Sequence, residues 1–262
     1  MFDNMNIPLN LFFENLEKEK IAELFKNVFP WEPLKVLKIY LLDIISDLPK
    51  EIPIGVPLSE SLFFTTEGEI IPLKEIDIYD EEYYFRGKKI EGAILKAGAI
   101  LTGRKIFFEK DVVVEPFSLI SSPAYFSKGT QIRHGAYVRG SIYTGEKAVI
   151  GHATEVKNSI FFSSAKAPHF AYVGDSILGN NVNLGAGTKL ANLKFSKKNI
   201  ILKINSETID TGLKKFGAIL GDRCQTGCNS VLQPGTLLGK ESYVYPNRVC
   251  GPGYFLPGTK IK

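Results

Sequence analysis

The chain has 262 residues, 44% of them hydrophobic and 23% charged, with a formal net charge of +4. That composition is that of an ordinary soluble globular protein, and the charge is too mild and dispersed to mark a nucleic-acid binder. Three cysteines, Cys224, Cys228 and Cys250, are few and odd in number, which fits reduced thiols better than a disulfide framework.

At the amino terminus acidic Asp3 stands where a signal peptide needs positive charge. Leu34 to Leu48 is the most apolar stretch, but Lys35, Lys38, Asp43 and Asp47 interrupt it, so no bilayer span is expected. Both readings point to a cytoplasmic location.

Within an amino-terminal unit of residues 1–50, residues from about 9 to 48 carry helical periodicity. Leu16, Ile21, Leu24, Phe25 and Val28 suit one amphipathic helix, and Val36, Leu37, Tyr40, Leu41, Ile44 and Ile45 a second. Pro30 and Pro33 flank Trp31 and break the pattern, predicting a helical hairpin that caps the remainder of the fold. Residues 51–89 read as lead-in strands and loops. Glu75, Asp77, Asp80, Glu81 and Glu82 there are read as a solvated acidic surface rather than a cation site.

From about residue 90 to 262 a six-residue repeat sets in. Leu220, Thr226, Leu232, Leu238 and Val244 occupy its first position; Gly221, Gly227 and Gly239 come directly after three of them. Cys224, Ser230, Thr236, Ser242 and Arg248 take the fifth. Leu178, Leu184 and Leu190 keep the same frame upstream. One hexad makes one flat side of a triangular prism and three make a coil, with the aliphatic residue inward and successive coils paired as parallel strands. No helical or period-two pattern gives this spacing. The predicted fold is mainly β, a left-handed parallel β-helix with an N-terminal helical hairpin. Residues 193–217, rich in lysine, interrupt the frame and predict a loop extruded from one corner. In this frame Cys224 and Cys228 are prism residues rather than half of a metal site.

Arg139 and Lys157 are separated by three hexads, one full coil, which would stack them on one side of the prism. A guanidinium fork with an ammonium beside it suits a phosphate.

The string from Lys166 to Gly187, K-A-P-H-F-A-Y-V-G-D-S-I-L-G-N-N-V-N-L-G-A-G, resembles the acetyltransferase domain of the bifunctional glucosamine-1-phosphate acetyltransferase/uridylyltransferase family. A-Y-V-R-G, G-H-A-T-E-V-K, A-N-L-K-F and D-T-G-L-K-K-F-G-A-I-L-G are similar to the same family, the last two to its archaeal-type sugar-1-phosphate nucleotidylyltransferase/acetyltransferase relatives. The resemblance runs from about Ala136 to Pro252.

The resemblance implies acetyl transfer from acetyl-CoA, the co-substrate, to the amine of glucosamine 1-phosphate or galactosamine 1-phosphate, with no metal required. His169 matches the family's general base, a task that suits an imidazole. Arg139 and Lys157 match the cations near the sugar phosphate. Tyr172 and Asn183 match residues that hold the amino sugar, and Lys198 matches a lysine close to the site. Asn192 matches a residue close to the thioester, Ala186 one whose N–H is offered to acetyl-CoA, and Cys228 a serine near CoA. His134 and His152 are read as packed or surface histidines. Arg139, Lys157, His169, Tyr172, Asn183 and Asn192 are expected to converge at one corner, with Asn183 itself at a corner facing outward.

A homotrimer with sites between subunits is implied, and neither nucleic acid nor membrane is an expected partner. The chain departs from the pattern in three ways. No Gly-rich nucleotide loop occurs near the amino terminus, so nucleotidyl transfer is not expected. Pro246 stands near a CoA contact without an N–H to donate. The carboxy-terminal arm that supplies another basic CoA contact in the family is not expected here. Two other readings compete: a different acyltransferase on the same solenoid, acting on another sugar or nucleotide sugar, and a non-catalytic trimeric scaffold that binds sugar phosphate.

Overall fold

The computed structural model describes residues 7–80, 82–204 and 207–262. Asp3 and Glu81 lie outside the described residues.

The hexads build a triangular parallel β-helix. Among the described residues its three faces are parallel sheets stacked coil on coil. The first face contains Val149–His152, Lys166–His169, Asn183–Leu184, Gln225–Thr226 and Tyr243–Val244. The second contains Tyr137–Val138, Glu155–Lys157, Tyr172–Gly174 and Lys189–Leu190. The third contains Ile142–Thr144, Ser159–Phe161, Ile177–Leu178 and Ala218–Leu220. Ile150, Val156, Val173, Leu184, Leu190, Leu220, Leu232 and Leu238 point inward and are fully buried. Burial of one such side chain contributes about 1.5–3 kcal/mol, so the repeated interior holds the prism together. Cys224 and Cys250 lie in this interior, where burial pushes each thiol up to about 12, and Cys228 is outside.

Tight corners need left-handed backbone, and Ser164, Phe170, Asn181, Arg223 and Asn229 all adopt positive φ there. Gly227 has a different constraint: a Cβ on it would sit 2.4 Å from the Pro246 nitrogen in the next coil.

The amino-terminal segment departs from the expected hairpin. Among the described residues before Trp31 the helical elements are short 3₁₀ turns, Leu9–Leu11, Leu16–Lys18 and Ala22–Phe25, followed by one α-helix, Pro33–Ile44. Nor does it cap the prism end. It lies lengthwise over the third face, where Phe12, Phe13, Ile21, Phe25, Trp31, Leu34 and Leu37 pack on the outward side chains Tyr143, Ile160, Ile177, Ile219 and Leu237. The physical reason is that the third face is apolar on both sides and must be covered on both. The end of the prism is plugged by the lead-in segment instead: Leu48, Ile52, Leu58 and Phe64 join the interior. Leu62–Thr65 pairs antiparallel with Gly92–Leu95 of the first coil, which satisfies its open edge.

Residues 193–217 leave the prism as expected, but they do not project freely. An antiparallel hairpin, Ile201–Ile204 with Glu207–Asp210, folds back so that Ile200, Leu202 and Ile204 join the cover of the third face.

The acidic residues of the lead-in are at the surface: Asp77 and Asp80 are exposed, and Glu82 pairs with Lys89 at 2.5 Å. No helix among the described residues is long and apolar enough to cross a membrane.

Candidate active site

Strand register places most of the candidate residues on or beside the second face. Val138 pairs with Val156, so Arg139 and Lys157 are neighbours in adjacent coils, as their spacing predicts. They stand where the second face turns into the third. Arg139 donates to Glu155 Oε1 at 2.7 Å, and both side chains remain well exposed. Lys157 Nζ lies 3.4 Å from Asp175 Oδ2, a carboxylate that is 5% exposed. Tyr172 stands in the middle of this face, paired with Glu155 below and Lys189 above. Its hydroxyl reaches Asn192, which is buried at the same edge as Lys157. Burial raises the Tyr172 phenol above its ordinary value, helped by the nearby Glu155 and Asp175 carboxylates, so the hydroxyl stays protonated and able to donate.

Closeness of approach explains Gly174. A Cβ there would meet the Asn192 amide at 2.6 Å and the Tyr172 hydroxyl at 2.7 Å. A larger residue would push both groups off the face.

The opposite edge, between the first and second faces, carries His169. It pairs with His152 in the preceding coil, and Gly187 N donates to His169 O at 3.0 Å from the next. His134, His152, His169, Ala186, Cys228 and Pro246 therefore form one ladder along this edge. His169 is exposed, and among the described residues no side chain or carbonyl bonds its ring nitrogens. The Ala186 N–H likewise has no acceptor among the described residues. His134 and His152 contact each other through Nδ1 atoms 3.3 Å apart, flanked by Phe117 and Phe170 as an exposed aromatic ladder.

The expected convergence at one corner is thus corrected. Arg139, Lys157, Tyr172 and Asn192 come together; His169 and Ala186 stand across the width of the second face from the two cations. Asn183 is on neither edge. It lies in a strand of the first face beside Lys166 and Gln225, and the chain turns at Ala186–Gly187. Lys198 is exposed on the insertion, where Lys194 and Asn199 bond to each other. Asp175 is absent from the residues expected to act, although it closes the Y-V-G-D string; its position directly after a glycine that cannot be enlarged is the signal that marks it.

Among the described residues no group of three or more His, Cys, Asp or Glu side chains is placed to hold a metal ion.

No family model matches the chain. Curated relatives do. A bifunctional sugar-1-phosphate nucleotidylyltransferase/acetyltransferase of Sulfurisphaera tokodaii is 37% identical over 155 residues, 58% of this chain and 39% of that protein. The bifunctional protein GlmU of Methanococcus aeolicus is 37% identical over 112 residues, 43% of this chain and 27% of that one. GlmU of Wigglesworthia glossinidia brevipalpis is 29% identical over 214 residues, 79% and 45% of the two chains. Among solved structures, the acetyltransferase domain of PglB from Neisseria gonorrhoeae aligns over 62% of this chain and 53% of its own, at 8% identity and a TM-score of 0.28, a likeness too slight to carry argument. The chain spans at most 45% of the length of these three curated relatives. The chain is similar to the bifunctional sugar-1-phosphate nucleotidylyltransferase/acetyltransferase and GlmU proteins, matched to the carboxy-terminal part of their length.

Proposed function

We propose that the chain transfers an acetyl group from acetyl-CoA to the amine of an amino-sugar 1-phosphate, glucosamine 1-phosphate or galactosamine 1-phosphate. The observation that carries this reading is the stacking of Arg139 on Lys157 in adjacent coils, with Tyr172 and Asn192 beside them. Arg139 spends one N–H direction on Glu155 and keeps others for phosphate oxygens; Lys157 keeps protons beyond the one aimed at Asp175.

In this reading His169 accepts a proton from the amine as nitrogen attacks the thioester carbonyl. The tetrahedral intermediate places negative charge on oxygen, and the unengaged Ala186 N–H is a fixed donor for it. Collapse breaks the C–S bond, and the departing thiolate takes from the imidazolium the proton that came from the amine. Asn192, in contact with the Tyr172 hydroxyl, would orient reacting groups brought to it by a neighbouring copy.

The width of the second face separates His169 from the cations of its own copy. A homotrimer resolves this by setting the His169 edge of one copy against the second face of the next, with Asn183 and Lys198 supplied across that boundary. Among the described residues the third face is covered by the chain itself, which leaves the first and second faces for such contacts. The CoA end departs from the family pattern at Pro246 and Cys228, which continue the His169 ladder.

The test is direct. Purified protein is mixed with acetyl-CoA and each amino-sugar 1-phosphate while free CoA thiol is followed. Thiol release that requires the sugar phosphate supports the proposal; no release with either sugar removes it. Release only with a nucleotide-linked amino sugar would favour the other acyltransferase reading.

A further inference from the structure

We infer that Asp175 is the positioning residue of the acceptor site, holding Lys157 and Asn192 in register and tying them to the amino-terminal helix. The inference rests on the acetyl-transfer reading for its kinetic consequences, but its geometry does not.

Asp175 is nearly sealed from solvent at the edge between the second and third faces. Oδ2 accepts from Asn192 Nδ2 at 2.5 Å and lies 3.4 Å from Lys157 Nζ. Oδ1 accepts from Asn158 Nδ2 at 2.9 Å. One buried carboxylate therefore meets three side-chain donors, of which Lys157 is assigned to the sugar phosphate and Asn192 to the thioester end. A buried carboxylate is costly unless paired and hydrogen-bonded, and each of these donors offsets part of that cost. The pairing also works in reverse. A lysine side chain has many rotamers in water; a fixed anion beneath it selects those that hold the ammonium over the second face.

The third donor carries the site outward. Asn158 Nδ2 also points at Leu34 O, 3.3 Å away, in the first turn of the helix Pro33–Ile44. The base of the insertion closes on the same edge, with Phe216 N donating to Asn192 O at 2.9 Å and Gly217 N to Asp175 O at 2.9 Å. The cover of the third face and the groups proposed to hold substrate thus share one carboxylate.

The experiment compares wild type, Asp175→Asn, Lys157→Met and the double variant, full length, with phosphorylated and unphosphorylated amino sugar as acceptors. Losing a charge-assisted partner is worth about tenfold or more. Asp175→Asn is expected to raise KM for the phosphorylated sugar by about that factor through Lys157, beyond any fall in kcat, common to both acceptors, that comes through Asn192. In the Lys157→Met background the phosphate-specific loss from Asp175→Asn should disappear. Equal losses for both acceptors, or additive effects of the two substitutions on KM for the phosphorylated sugar, overturn the inference. If wild type transfers no acetyl group, the functional reading fails and Asp175 is judged by another readout. Amine-reactive labelling of Lys157, followed by mass spectrometry, should become several-fold faster in folded Asp175→Asn, and unchanged labelling overturns the inference there too. Asp175→Ser serves the same comparison if Asp175→Asn does not fold.

Discussion

The second and third faces of the prism share an apolar inward side and differ in their outward residues. On the second face the column Tyr137, Glu155, Tyr172 and Lys189 is polar or amphipathic, and the groups proposed to hold substrate rise from it. On the third the column Tyr143, Ile160, Ile177, Ile219 and Leu237 is almost wholly buried beneath the chain's own amino-terminal segment and insertion. One repeat therefore builds both a surface for ligands and a surface for folding. What decides between them is the residue beside the inward aliphatic, not the aliphatic itself.

The largest expected effect comes from removing the cover. Deleting residues 1–46 would uncover outward apolar side chains of the third face, each worth about 1.5–3 kcal/mol by area. The truncated chain should aggregate, or bind a hydrophobic dye strongly; a soluble, dye-silent truncation would show that the third face does not need its cover. Next comes the centre of the cover. Trp31 is fully buried, stacked on Phe29 at 4.7 Å and tilted against Phe216. Trp31→Ala should cost about 3–5 kcal/mol, the scale of large-to-small changes in a core, read from urea unfolding.

On the second face the effects should be kinetic rather than structural. Arg139→Met removes a charged donor worth about 1.5–3 kcal/mol from an exposed edge. KM for the sugar phosphate should rise by a factor of about ten or more while the unfolding midpoint stays close to wild type. A large stability loss without a KM change would erase the distinction between the faces.

The smallest effect is expected at the edge where the cover is pinned. Glu14 is held at about 2 by hydrogen bonds from Arg223 and Lys240. Its folded value is below the ordinary 4.5, so its contribution is present above that value and lost as pH falls toward about 2. Glu14→Gln should lower the urea midpoint near neutral pH and not at about pH 2. Glu19 and Asp222 beside it run the other way, because burial raises both carboxyls, and they favour the folded state as they become protonated. A wild-type-minus-variant difference independent of pH would remove Glu14 from this role.

The prism is legible in the sequence because its period is strict: Leu220, Leu232 and Leu238 recur where the interior needs them. The neighbourhood of Arg139 and Lys157 is legible for the same reason, since no residue is inserted between their coils. The cover is not, because short 3₁₀ turns bury Phe12, Ile21 and Phe25 without a 3.6-residue period. Its signal lies in the solenoid. Ile177–Leu178, Ile219–Leu220 and Leu237–Leu238 are apolar pairs, and adjacent apolar residues in a strand mean burial on both sides. Asn183 departs from its expected corner because the hexad frame marks which residues point inward and not where the chain turns, which is at Ala186–Gly187.

The measurement closest to the central claim is the rate of CoA thiol release by His169→Ala beside wild type, with glucosamine and galactosamine 1-phosphate as acceptors and the product checked for an acetylated amine. Loss of a general base predicts kcat about two or more orders of magnitude lower, with a native unfolding midpoint because His169 is exposed and unbonded among the described residues. An undiminished rate in His169→Ala would contradict the account, as would a wild type that makes no acetylated amine.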